Sequence, residues 1–108
     1  ILLISFILLT SFNSLTFSED QQIKIGLLVP MTGENKNLGQ TIIKATRMAL
    51  KDIGTDKIEI HPKDSGSNSK LALKAASEFE QMGINIVIGP VFHKSLDYLN
   101  EMENITFL

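Results

Sequence analysis

An open, parallel α/β sheet is the fold class that this 108-residue sequence predicts. Short apolar runs alternate with stretches of helical periodicity along the chain. The first and third of those runs are nearly continuous rather than alternating, as expected of parallel strands buried on both faces. The connections between them suit right-handed strand–helix–strand crossovers. The length fits one domain with one core.

The chain opens on a leader. Residues 1–18 carry no charge, and residues 1–9 are almost wholly aliphatic before Thr10, Ser11, Asn13 and Ser14 dilute the run. Charge begins at Glu19 and Asp20. A secretory signal peptide has an apolar segment of roughly 7–15 residues, then polar residues and a small-x-small cleavage site, which Thr16-Phe17-Ser18 fits. A membrane-spanning helix needs about 20 predominantly apolar residues, and the hydroxyl and amide side chains after Leu9 interrupt such a span. The expectation is a signal peptide at residues 1–18 and export from the cytoplasm. The chain does not begin with Met and finishes inside the β-branched run "NITFL", so it reads as a piece of a longer protein at both ends.

"IKIGLLV" at residues 23–29 is the first strand, followed by the Gly- and Asn-containing loop "PMTGENKNLG". From Gln40 the period becomes helical, with Ile42, Ile43, Ala45, Thr46, Ala49, Leu50 and Ile53 on one stripe and Gly54 as the helix-ending glycine. "KIEIH" at residues 57–61 alternates as a less buried second strand, which Pro62 is expected to end. In the loop at residues 63–69, Ser67, Asn68 or Ser69 can cap a helix beginning near Lys70. That helix aligns Ala72, Ala75, Ala76 and Phe79, with Met82 extending the face, and Gly83 ends it. "INIVI" at residues 84–88 is the third strand, broken at Gly89-Pro90. Leu96, Leu99 and Met102 imply a third helix, and residues 105–108 begin a fourth strand.

In such sheets ligands bind beyond the carboxyl ends of the strands, where loops meet helix N-termini. Three loops qualify, and each candidate residue in them has a plain structural role beside the functional one. Thr32-Gly33 makes either a turn or a ligand contact. Asp64 and Ser65 are turn and cap formers that can also face a ligand, and Ser95 reads as a helix cap able to donate a further hydrogen bond. Phe92 either plugs the sheet edge or walls a pocket; His93 beside Lys94 is either a solvated pair or a cationic corner. His61 has no acidic or imidazole neighbour at metal-ligand spacing.

Composition removes whole classes. With no Cys there is no thiolate zinc site, no Cys nucleophile, no lipid-modified Cys and no disulfide, so the stability of this exported chain must come from packing. Ten basic against 12 acidic residues give a mixed, mildly acidic surface that points to no nucleic-acid partner. No dinucleotide Gly-x-Gly-x-x-Gly, phosphate-binding Gly-x-x-x-x-Gly-Lys or Gly-x-Ser-x-Gly nucleophile elbow is present.

"IKIGLLVPMTGENKNLGQTIIKATRMALKDIG" resembles the opening of type I periplasmic binding proteins of the leucine-binding group, and "PKDSGSNSKLALKAASEFEQMGINIVIGPVFHKS" their next section. "LLVPMTG", "LGQ" and "IGPVF" look most like the penicillin-binding protein activator branch. The resemblance implies a three-layer parallel sheet, with residues 19–108 as the incomplete N-terminal lobe of a bilobed protein that closes on a small ligand. It also implies a periplasmic location, no catalytic activity and no cofactor. An amino-acid-like ligand would be handed to an ABC transporter permease; in the activator branch the partner would be a peptidoglycan synthase. The candidate ligand-binding residues from these loops are thus Thr32, Gly33, Asp64, Ser65, Phe92, His93 and Ser95; the resemblance implies a ligand-carboxylate role for the stretch Phe92-His93-Lys94-Ser95, where Ser95 alone keeps the small hydroxyl type usual after the third strand. The rival of another class is an α/β enzyme with its catalytic residues beyond Leu108.

Overall fold

The run Ile23–Val29 forms β1, an inner strand of a four-stranded sheet in a computed structural model that describes residues 21–66 and 68–108. The expected signal peptide lies outside the described residues. After β1 come α1 (Lys36–Ile53), β2 (Ile58–Asp64), α2 (Ser69–Gln81) and β3 (Ile86–Ile88). A 3-10 turn at His93–Ser95, α3 (Leu96–Leu99) and β4 (Thr106–Phe107) complete the order. All pairings are parallel and the strand order is β2-β1-β3-β4. The chain leaves β1 for β2 on one side and returns to β3 on the other, so the order reverses between β1 and β3.

Alternation within β1 divides the core. Leu28 faces Ala72, Ala75, Ala76 and Phe79 of α2, together with Val87 and Leu99, while Leu27 and Val29 face Ile43 of α1. Helices thus cover both faces, giving the three layers expected. Phe79 is 0% exposed, and its ring occupies the space that Gly26 leaves: a Cβ there would come within 3.0 Å of the ring and 2.9 Å of Val87 Cγ2. The three alanines of α2 let the helix approach the sheet closely, as their size predicts.

Several element boundaries differ from expectation. Helix α1 starts at Lys36, not Gln40, and takes in Gly39. A side chain at Gly39 would collide with the carbonyl of Pro30, so the glycine permits close approach of helix to strand end instead of ending a loop. The predicted α1 stripe is only partly buried: Ile43 is covered, whereas Ala45 and Ala49 are exposed and Ile53 is 65% exposed. On that face Ile86 and Ile88 of β3 are also uncovered among the described residues. Strand β2 runs through Pro62 to Asp64, because an edge strand tolerates a residue without an N–H. Met82 caps α2 and is exposed; it does not extend the apolar face. Ile84 and Ile105 pack in the core just before their strands begin, and Met102 follows α3 yet still packs against that core.

Candidate functional site

At the carboxyl ends of β1, β2 and β3 three loops converge, and Asp64 ties two of them together. Asp64 Oδ1 accepts from the backbone N–H of Met31 and of Gly66, each at 2.7 Å, and Oδ2 accepts from the Thr32 hydroxyl at 2.6 Å. Burial pushes this carboxyl up, but the Thr32 hydroxyl and the Met31 and Gly66 N–H groups together hold it below its ordinary value of 3.8. Next to it, the Ser65 N–H donates to Val29 O at 2.9 Å, and Ser65 is buried. Gly33, at φ 81°, completes the turn into α1 through its carbonyl, which accepts from Lys36 N at 3.3 Å.

The third loop is set by Gly89. Its φ of 112° and the collision that a Cβ would make with Leu28 O leave no room for another residue. Its N–H donates to Leu108 O at 2.9 Å, which carries the β3–β4 ladder to the start of the loop. Phe92 is extended, and the chain then winds through the 3-10 turn into α3. Ser95 has helical dihedrals there and its side chain caps nothing, contrary to the capping role expected; the turn begins two residues earlier, so no free helix start falls at Ser95.

Between these loops lies a cleft of about 630 Å³, within the size range of small-molecule sites. Phe92, His93, Lys94, Ser95 and Tyr98 form one wall; Asn35, Gly66, Asn68 and Ser69 form the other. Of the residues expected to touch a ligand, Phe92, His93 and Ser95 therefore come together. Thr32, Gly33, Asp64 and Ser65 do not line this cleft: the first and third clamp two loops, Gly33 turns and Ser65 is buried beneath. Asp64 borders a smaller hollow beside Lys63 and Glu78, whose ion pair measures 2.6 Å. Hydrogen bonding to Lys63 holds the Glu78 carboxyl below its ordinary value.

Reasoning from sequence missed Asn35 and Tyr98 as cleft residues. Tyr98 stands three positions after Ser95 on a helical path, a spacing that puts both on one face and could have revealed it. Asn68 was foreseen as a cap: its side-chain oxygen accepts from Leu71 N at 2.9 Å. Contrary to the expectation that His61 has no acidic neighbour, Glu59 stands two residues before it in β2 with Oε1 2.9 Å from its Nε2; the contact is outside hydrogen-bond geometry, and the nitrogen is otherwise buried without a partner. No three His, Asp or Glu residues gather as a metal site among the described residues.

The family model for periplasmic binding protein matches residues 22–107, nearly the whole described chain. The chain belongs to the periplasmic binding protein family. Its four-stranded α/β sheet matches a lobe of the type I proteins. A leucine-binding protein from Thermotoga maritima superposes with a TM-score of 0.69 at 21% identity, covering 79% of this chain and 26% of that one. The C-domain of LpoA from Haemophilus influenzae, a regulator of PBP1A, gives 0.64 at 26% identity, covering 78% and 26%. An ABC transporter solute-binding protein from R. palustris in complex with benzoate gives 0.67 at 20%, covering 75% and 24%. No curated protein matches the sequence. This periplasmic binding protein chain thus spans about a quarter of the length of those structures, whose members are binding proteins or regulators rather than enzymes.

Proposed function

We propose that the chain is the first part of the N-terminal lobe of an extracytoplasmic solute-binding protein, which binds an amino-acid-like small ligand without catalysis and hands it to an ABC transporter. The observation that carries this reading is the cleft at the strand-order reversal, where loops from three strands converge. Phe92, His93 and Ser95 are its contacts in this lobe. Thr32, Gly33, Asp64 and Ser65 act by fixing the loops around it. A second lobe closes over the ligand by hinge motion, and residues 1–18 direct export. Isothermal titration of the complete protein against a panel of small amino and organic acids tests the reading; saturable heat from a member of the panel is expected, and its absence across the panel removes solute binding.

The second reading is a regulator of peptidoglycan synthesis. It is favoured by the 26% identity to the LpoA C-domain and by the bulk of Phe92-His93-Lys94 in the cleft wall. Co-purification of the complete protein with a peptidoglycan synthase, in the absence of any solute heat, is the outcome that selects it.

A further inference from the structure

Helix α1 carries a row of cations that its own stability does not explain. Lys36, Gln40, Lys44, Arg47 and Lys51 follow one another at spacings of three or four residues and so share one face of the helix. The charged members are all exposed, and Asp52 is the one acidic residue on α1. Four of the chain's ten basic residues are gathered here, although the chain as a whole carries a net charge of −2. Lys44 and Arg47, and Arg47 and Lys51, are like charges at helical neighbour positions and repel each other. Lys36 stands in the first turn, where the helix dipole disfavours a cation.

The surroundings of the row point to the kind of partner it meets. Met48 lies beside it, four residues after Lys44 and three before Lys51, and is 66% exposed. An apolar tip among cations suits the headgroup layer of a bilayer, where the tip sinks in and the charges stay at the surface. Three of the four cations are Lys, a point charge on a flexible stem, whereas fixed carboxylates on a protein surface are matched better by the planar fork of Arg. Set along the outside of a straight helix, the row extends about 22 Å from Lys36 to Lys51 and can meet a flat surface along its whole length.

We propose that this face of α1 docks on a membrane surface rich in anionic phospholipid, with Lys36, Lys44, Arg47 and Lys51 at the headgroups and Met48 between them. The contact lays the sheet side-on to the bilayer and leaves the cleft, at the carboxyl ends of the strands, open alongside it. It goes beyond both functional readings and depends on neither.

Sedimentation of the complete protein with lipid vesicles tests the proposal. Vesicles of equal parts phosphatidylglycerol and phosphatidylcholine bind the protein, vesicles of phosphatidylcholine alone do not, and raising the salt to about 0.5 M releases it, as screening of exposed charges requires. Each Lys or Arg near an anionic surface strengthens partitioning about fivefold, so the triple variant Lys44→Gln, Arg47→Gln, Lys51→Gln binds about a hundredfold more weakly. The triple variant Lys24→Gln, Lys70→Gln, Lys74→Gln removes the same charge from the α2 side of the sheet and stays within about twofold of wild type. All six side chains are exposed, so both variants keep the wild-type melting temperature. Equal losses in the two variants, or equal binding to phosphatidylcholine alone, overturn the proposal. So does the absence of binding to the anionic vesicles, the result expected if an acidic protein or the rest of the polypeptide covers α1. Solute heat in calorimetry is untouched by any of these outcomes, so the solute-binding reading stands or falls separately.

Discussion

The Thr32 hydroxyl donates to Asp64 Oδ2 at 2.6 Å, joining the loop after β1 to the end of β2 across 32 residues of sequence. With the Met31 and Gly66 N–H groups on the other oxygen, this carboxylate also holds the loop whose Gly66 lines the cleft.

Replacing Asp64 by Asn therefore weakens three hydrogen bonds that a charged acceptor receives. Bonds to charged groups contribute about 1.5–3 kcal/mol each when fully made, and partial exposure and the remaining amide oxygen reduce the loss, so a total destabilisation of about 1–3 kcal/mol is expected in urea melts. The pH dependence has a definite sign. The folded carboxyl titrates below its ordinary value of 3.8, so its contribution is complete above that value and is lost as pH falls through the lower, folded one. The stability gap between wild type and Asp64→Asn must shrink as the medium is acidified through that window; a constant gap would show that the charge is irrelevant.

Gly39→Ala is expected to reverse a helix rule. In an open helix interior this change stabilises by about 0.8–1 kcal/mol. Here the added methyl meets the Pro30 carbonyl, and overpacking of this kind costs about 1–3 kcal/mol. Chemical denaturation of the variant gives the answer directly, and a midpoint equal to or above wild type would refute the close approach.

Gly26 and Phe79 are coupled through one contact. Phe79→Ala empties a fully buried site and is expected to lower stability by about 3–5 kcal/mol. Gly26→Ala crowds the same ring. In a double-mutant cycle with Phe79→Leu, the Gly26→Ala penalty should fall by at least about 0.5 kcal/mol, whereas additive penalties would mean that Phe79 can move aside freely.

Ser95→Ala separates binding from folding. The Ser95 side chain caps no helix, so its loss should leave the melting temperature within experimental error. Loss of one ligand hydrogen bond, about 1 kcal/mol, should weaken affinity for the ligand by roughly fivefold. A drop in melting temperature with affinity intact would assign Ser95 to the fold instead.

The order of elements and the parallel sheet were legible because continuous apolar runs and helical stripes have different periods, and Gly54 and Gly83 stand close to the helix ends. Gly39 and Pro62 were misleading for one reason. Each breaks a regular element in isolation, but Gly39 lies against a strand end and Pro62 on an outer strand, where the usual penalty does not arise. The loop at Phe92, His93 and Ser95 was legible from the Gly89-Pro90 break. The roles of Thr32 and Asp64 were not, since turn-forming residue types look the same whether they meet a ligand or each other.

Sequence by itself determined the local alphabet of this protein: where strands and helices lie, which stretch breaks the third strand, and that cysteine chemistry is absent. Tertiary structure decided which loops meet. Asp64 accepts hydrogen bonds from partners 32 and 33 residues earlier, and the cleft draws residues from three separate loops, because the strand order reverses between β1 and β3. Local periodicity carries no information about such long-range juxtapositions; they are fixed only when the two faces of β1 are buried under different helices.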